Sequence, residues 1–368
     1  MARSVPKVVA DLSRGILLDR TAATDELAGM ATTDEARSEI IAAGAAAPLV
    51  RLLSATVPEG GSPFWASEAR AKALAVLANL ASLRSCCNAI LSEGALRPIL
   101  ESLSSAAPEI REQAAAAVHV MVRDDRVRAE ILASGALAQL IDMLPSSTAQ
   151  GKARIAGALA TLASKDECAK PVMSAGSLPP LLTLLSESQP EPVRIAGALA
   201  LEHIASLNMC RKAVFDAGAL PLLVERLRGG GLEEKGQAAA AIRAIVTEGN
   251  EELPPPGAPR EDPPDAMEMI DTGIVPPLVD LLSRGNAECR CEAARAIFAL
   301  AERGAEYHPV LIAAGALPPL VALLSSSFVS SDTIGWAGCA LRLLATTTKR
   351  EAMEDALPRG PGRDAAQR

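Results

Sequence analysis

One arrangement of apolar and polar positions recurs seven times along the chain, each copy centred on a glycine: Gly44, Gly94, Gly135, Gly176, Gly218, Gly273 and Gly315. Successive glycines stand 50, 41, 41, 42, 55 and 42 residues apart, so the base period is 41–42 residues and two intervals carry insertions. Four and three residues before each glycine sit two apolar side chains: Ile40/Ile41, Ile90/Leu91, Ile131/Leu132, Val172/Met173, Val214/Phe215, Met269/Ile270 and Leu311/Ile312. They predict the buried end of a short first helix. Glycine then ends that helix, because a left-handed residue is tolerated there only without a Cβ. Proline follows four residues later in five copies, at Pro48, Pro98, Pro180, Pro277 and Pro319. In the first turn of a new helix its missing N–H is no loss. Nine residues after the glycine runs an unbroken leucine column, Leu53, Leu103, Leu144, Leu185, Leu227, Leu282 and Leu324. Together with the apolar pairs five and six residues after each glycine, it predicts one buried stripe on this second helix.

A third helix is predicted in every copy from apolar residues at 3.6-residue spacing, as in Ala71–Ala81, Ile155–Ala163, Ile195–Ala205 and Ala293–Ala301. Small residues recur on one face of it (Ala117, Ala158, Ala200, Ala241, Ala296, Ala340), which allows a neighbouring helix to approach closely. One such unit cannot bury enough surface to fold alone, so stacking must supply the rest. The reading is an all-α repeat array over residues 41–346. Residues 1–40 form an N-terminal cap, with an amphipathic segment over 5–18 and a partial third helix over 21–30. Residues 347–368 form a C-terminal cap and tail. The insertions fall at 54–67 and 248–265. The first ends near Phe64 and Trp65, two of the seven aromatic residues side by side, which either fold back on the array or serve as an exposed binding anchor. The second is acidic and proline-rich and reads as an irregular loop.

Composition changes this picture little. Hydrophobic residues make up 49% of the chain and aromatics only 2%, which suits a core of closely stacked helices built from Ala, Leu, Val and Ile. A net charge of −8 argues against a general nucleic-acid binder, which needs a basic face. The seven cysteines are odd in number and scattered, as expected of reduced thiols. Neither a membrane span nor the apolar stretch of a secretory leader is evident, and Ala2 excludes N-myristoylation. No cofactor or metal is expected: Cys289-Arg-Cys291 lacks a second ligand pair, Gly229-Gly-Gly231 lacks the phosphate-loop lysine, and nothing pairs a nucleophile with a base. The chain is therefore expected not to be an enzyme.

The phrase Gly-Ala-Leu-Pro-Pro-Leu-Val-x-Leu-Leu, three helices per period of 41–42 residues, and Ala75-Val-Leu-Ala-Asn79-Leu80 on the third helix resemble the armadillo repeat family. The resemblance covers about residues 21–346, and the 71–111 segment carries it most clearly. HEAT repeats are the near neighbour; the short first helix with its glycine break favours armadillo. The resemblance implies a right-handed α-solenoid of about seven repeats whose third helices line a concave groove for an extended peptide or a partner protein. By register that groove contains Asn79, His119, Glu202, His203, Arg243, Arg295 and Arg342. The Trp and Asn ladders of importin-α are not matched, since Asn79 alone stands at the Asn register and no Trp stands at the other. That argues against a nuclear-import adaptor. With Glu112 and Glu202 interspersed among three arginines, the groove is less basic than a β-catenin-like ligand site requires. The phrase also resembles arrays of plant-type U-box ligases, but no U-box sequence is present, so a role in ubiquitination implies a substrate-recognition component. A helical-repeat metalloenzyme needs recurring His-Glu pairs, and only Glu202-His203 occurs. The reading is thus a monomeric, cytoplasmic and also nuclear scaffold or adaptor that binds protein, with no nucleic acid, membrane insertion or lipid anchor.

Overall fold

The structure, a computed structural model, describes residues 4–54, 63–247, 266–326 and 328–356, with side chains at all of these except 17, 63–65, 266, 267 and 347–356. Among the described residues there are twenty-three α-helices, one 3-10 turn and no strand. Two helices lead, Val5–Arg14 and Leu17–Met30, and seven triplets follow. The chain divides into two compact bodies, Met1–Cys210 and Arg211–Arg368.

In the first body the triplets are Asp34–Ala42, Ala46–Leu53 and Pro63–Ala81; Arg84–Ser92, Leu96–Ser102 and Pro108–Met121; Asp125–Ser134, Ala136–Met143 and Ala149–Ala163; and Asp166–Ser174, Leu178–Thr183 and Glu191–Ser206. Each third helix packs against the next, and Leu17–Met30 packs on Pro63–Ala81 in the same way. The fifth triplet opens with Asn208–Asp216. The second body continues with Ala219–Gly229 and Leu232–Val246; Ala266–Asp271, Val275–Arg284 and Ala287–Arg303; and Tyr307–Ala313, Leu317–Leu324 and Ser331–Ala356. Its three third helices likewise pack in sequence.

The seven repeat glycines are the only described residues with positive φ, between 72° at Gly273 and 84° at Gly44. At Gly44 and Gly315 the geometry is that of a Schellman turn. Gly44 donates its N–H to the Ile41 carbonyl at 2.9 Å and Ala45 donates to Ile40 at 3.3 Å; Gly315 and Ala316 repeat the pair with Ile312 and Leu311 at 3.0 and 3.1 Å. The turn drives the next residue into the interior: Ala45, Ala95, Ser177, Ala219, Ile274 and Ala316 are all fully buried.

The apolar columns are buried with two refinements. Of each pair preceding the glycine, only the first residue is fully buried, from Ile40 to Leu311. The second turns toward the surface: Leu132 is exposed, Ile41, Leu91, Met173, Ile270 and Ile312 are half-buried, and only Phe215 is buried. The leucine column is at most 3% exposed from Leu53 to Leu282, whereas Leu324 is 41% exposed. The small-residue column, Ala117 through Ala340, is at 0% exposure in every copy, as close helix approach requires.

Other boundaries shift. The leading helices break at Gly15, and the second begins at Leu17 rather than at Thr21. The third helix of the first repeat begins at Pro63, inside the predicted insertion; residues 55–62 lie outside the described residues, as does the whole 248–265 insertion. The last third helix runs unbroken to Ala356, past residue 346.

In two repeats a residue that the apolar pattern does not reveal closes the third helix. Seven residues before its glycine, Arg128 is 6% exposed and donates Nη1 to the carbonyls of Val122 and Arg123 at 3.1 and 2.9 Å, just beyond Pro108–Met121. His308, also 6% exposed, donates Nε2 to Ala301 at 2.8 Å in the last turn of Ala287–Arg303. Both satisfy carbonyls that a helix end leaves without partners.

The glycine turn can be tested without disturbing any contact. A Cβ at Gly135 meets nothing within 4 Å, so the penalty of alanine there is conformational. Gly135→Ala is expected to destabilise the chain by about 1–2 kcal/mol, read as a lowered urea midpoint; an unchanged midpoint would show that the left-handed turn does not carry the fold.

Candidate protein-binding face

The residues assigned to the groove fall on third helices of both bodies, Asn79, His119, Glu202 and His203 in the first and Arg243, Arg295 and Arg342 in the second.

In the first body most of these side chains are engaged in bracing helices. Asn79 is half-buried, and its Oδ1 accepts from Arg37 Nε at 3.1 Å, on the first helix of the same repeat. His119 and His203 reach the same helix, Ala149–Ala163, from its two neighbours. The His119 ring lies over Gly157, where an added Cβ would come within 2.5 Å of its Cε1. His203 donates Nδ1–H to the Ala160 carbonyl at 2.7 Å. A carbonyl can only accept, so this nitrogen carries the proton. Burial, reinforced by Arg123 and Arg154, pushes the His119 pKa below its ordinary 6.5. Glu202 is half-buried beside His203. Glu112 is occupied elsewhere: its two oxygens accept from the N–H and hydroxyl of Thr148, both at 2.7 Å, at the start of Ala149–Ala163. It braces the next repeat and does not line a groove as an unengaged carboxylate.

In the second body the structure brings two of the three arginines together. Glu292, one turn before Arg295, accepts from Arg243 Nε at 3.1 Å with Oε2 and from Arg295 Nη1 at 2.8 Å with Oε1. The Arg295 guanidinium lies 5.8 Å from the centre of the Trp336 ring, and that ring packs on Phe298 with centroids 5.2 Å apart. Three consecutive third helices, Leu232–Val246, Ala287–Arg303 and Ser331–Ala356, therefore contribute to one charged and aromatic cluster. Its members are half-buried. Arg342 is exposed on the last of these helices, and no hydrogen bond or ion pair among the described residues ties it to the cluster.

Glu292, Phe298 and Trp336 are absent from the sequence-derived set. A signal for them existed. Glu292 precedes Arg295 by three residues, and Trp336 precedes Cys339, at the Trp register, by three, so each lies one turn along the same face. Phe64 and Trp65 open the helix Pro63–Ala81, but their side chains lie outside the described residues. A cleft of about 520 Å³ lies on a different surface, with Leu282, Arg290, Pro319 and Leu323 in its lining and none of the assigned groove residues. Among the described residues, no group of three or more His, Cys, Asp or Glu side chains could hold a metal ion, and no single helix is long and apolar enough to cross a membrane.

Comparison with known proteins gives these triplets a family. The family model of the armadillo/beta-catenin-like repeat matches residues 262–301, the sixth repeat. A solved engineered protein is 30% identical over 66% of this chain and 98% of its own length, with a TM-score of 0.60. A designed armadillo repeat protein is 26% identical over 66% of this chain and all of its own, with a TM-score of 0.59. The chain belongs to the armadillo repeat family. Another engineered protein matches 93% of this chain and 88% of its own length at 26% identity and a TM-score of 0.72. No curated protein matches. The armadillo repeat that the family model selects is the one that carries Glu292, Arg295 and Phe298, rather than the 71–111 segment with Asn79.

The armadillo array has one ionisable contact whose pH dependence follows from its surroundings. With its folded pKa below 6.5, His119 binds a proton less readily in the folded chain than in the unfolded one. Its contribution is fully present above 6.5 and is lost as pH falls through the lower folded value. His119→Gln is therefore expected to lose less stability than the parent chain between about pH 7.5 and 5.5, measured by urea unfolding. Equal losses in both would show that the ring is not buried on Gly157.

Proposed function

We propose that this armadillo array is a non-catalytic adaptor that holds an extended peptide segment of a partner protein along its third helices, in a cytoplasmic setting. The observation that carries the reading is the cluster that three consecutive third helices build from half-buried side chains, Arg243, Glu292, Arg295 and Trp336. It presents charged groups and an aromatic face across neighbouring repeats, while the apolar columns beneath keep the helices in place. An extended peptide has the complementary geometry, because its alternating side chains and free backbone groups can meet a periodic surface. Similarity to computationally designed armadillo repeat proteins for modular peptide recognition supports the same class of ligand; one is 27% identical over 66% of this chain. Seven cysteines present as thiols, five of them buried, are consistent with a reducing compartment.

Hydrogen exchange tests the surface directly. Peptides selected on the full chain from a random library are expected to protect third-helix amides, including those of Ala287–Arg303, more than first-helix amides. Protection confined to first or second helices would overturn the assignment.

A further inference from the structure

The cleft away from the third-helix face has its own walls and its own charge. We infer that it is a second docking site, which takes an apolar stretch of a partner protein bearing one aspartate or glutamate and seats that carboxylate on Arg290. The site does not depend on what the third-helix face binds.

Its shape comes from two second helices. The cleft of about 520 Å³ lies between Val275–Arg284 and Leu317–Leu324, beside the start of Ala287–Arg303, all within the second body. Leu282, Pro318, Pro319, Ala322 and Leu323 give it an apolar wall. The two prolines add no backbone N–H to that wall. Its polar lining is Ser283, Ser326 and Arg290, with no carboxylate among the described lining residues. A mostly apolar cleft of this size with a few polar groups on one side has the make-up of a ligand site.

Arg290 supplies the charge that the cleft must match. The residue is half-buried, and its Nε is buried without a hydrogen-bond partner among the described residues. Its one hydrogen bond there runs from Nη2 to the Ser283 carbonyl at 3.2 Å. Arginines at the same register, six residues before Ala117 and Ala200 as Arg290 is before Ala296, are held more fully. Arg111 donates Nη1 to the carbonyls of Ser105 and Ala106 at 2.8 and 3.1 Å, and Arg194 donates Nη1 to the Gln189 carbonyl. In the sixth repeat the guanidinium keeps donors unused beside an apolar wall that opens to ligand. A partly dehydrated cation there attracts a counter-ion more strongly than one on an open surface. A carboxylate provides both the charge and the acceptors.

The rest of the surface selects a chain segment. A basic side chain would meet no described carboxylate in the lining, and a bare inorganic anion would leave the apolar wall unfilled. Phe328 is 85% exposed, and its backbone N–H donates to Oγ of Ser326, in the lining, at 3.3 Å. An exposed aromatic beside the cleft carries the apolar contact past its mouth, as an interface anchor does. A ligand that fills the cleft and reaches Phe328 is longer than a compact small molecule.

The test uses the full chain and fluorescence polarisation with two labelled peptides, Leu-Pro-Glu-Leu-Pro-Leu and its Gln counterpart. The Glu peptide is expected to bind about tenfold more tightly, the worth of one charge-assisted contact. Arg290→Gln should erase that preference. Ala322→Trp, at an exposed position in the lining, should fill the cleft and weaken both peptides by about tenfold or more. Circular dichroism establishes that each variant is folded; if Arg290→Gln is not, Ala322→Trp decides. Equal binding of the two peptides by the parent chain would overturn the inference. So would a preference that survives Arg290→Gln, or binding that Ala322→Trp leaves unchanged. Replacing residues 248–265 by a Gly-Ser linker of equal length separates the other occupant. Binding that appears only in that variant would assign the cleft to the chain's own acidic insertion and overturn the partner.

Discussion

The whole arrangement depends on one backbone constraint, a left-handed residue at the same place in every repeat. Each of the seven turns has φ near +80°, and each follows a first helix whose last full turn buries one aliphatic side chain. Because the residue after the turn is itself buried, the second helix starts from inside the core. Its apolar stripe then faces inward without any choice of rotamer or loop. A side chain at the turn would add backbone strain, in six of the seven copies without meeting any neighbour. Stability therefore depends at this point on conformation rather than on packing, and the packing follows from it.

That constraint is local and repeated, which explains why the fold was legible in the sequence. A glycine, a preceding apolar pair and a leucine nine residues later all lie within one repeat, and seven aligned copies make each column visible. The errors concern neighbours that no local pattern contains. Leu324 belongs to the same column as Leu53, yet it is 41% exposed where Leu53 is 2% exposed. The second residue of each pre-glycine pair has the same hydrophobicity as the first but lies on the outward side of a short helix. Helix ends were misplaced for a related reason. Ser331–Ala356 continues through Thr346-Thr347-Thr348, residues of modest helix propensity, where a local reading ends the array.

The candidate surface was legible in its position but not in its chemistry. Register placed Asn79, His119, His203, Arg243 and Arg295 on third helices, where they are. It could not show that Asn79 binds Arg37, that Glu112 caps the next helix at Thr148, or that the two histidines close on Ala149–Ala163. Each of these contacts joins residues about 36–43 positions apart, one repeat length. A polar residue in a stacked array can serve its neighbour repeat or a ligand, and the sequence of a single repeat does not distinguish the two.

The distinction becomes visible when partners are followed residue by residue. Where a polar side chain bonds a backbone carbonyl, as His203 does at Ala160 and Arg128 does at Val122, it ties helices together and leaves little for a ligand. Where side chains bond one another, as Arg243 and Arg295 do through Glu292, the contact joins two third helices through side chains alone. In an armadillo array whose helices are bonded from within, binding capacity therefore lies in side-chain pairs that the fold can lose. Among the described groove residues such pairs are found on the third helices of the second body, where an aromatic ring lies beside one of the arginines.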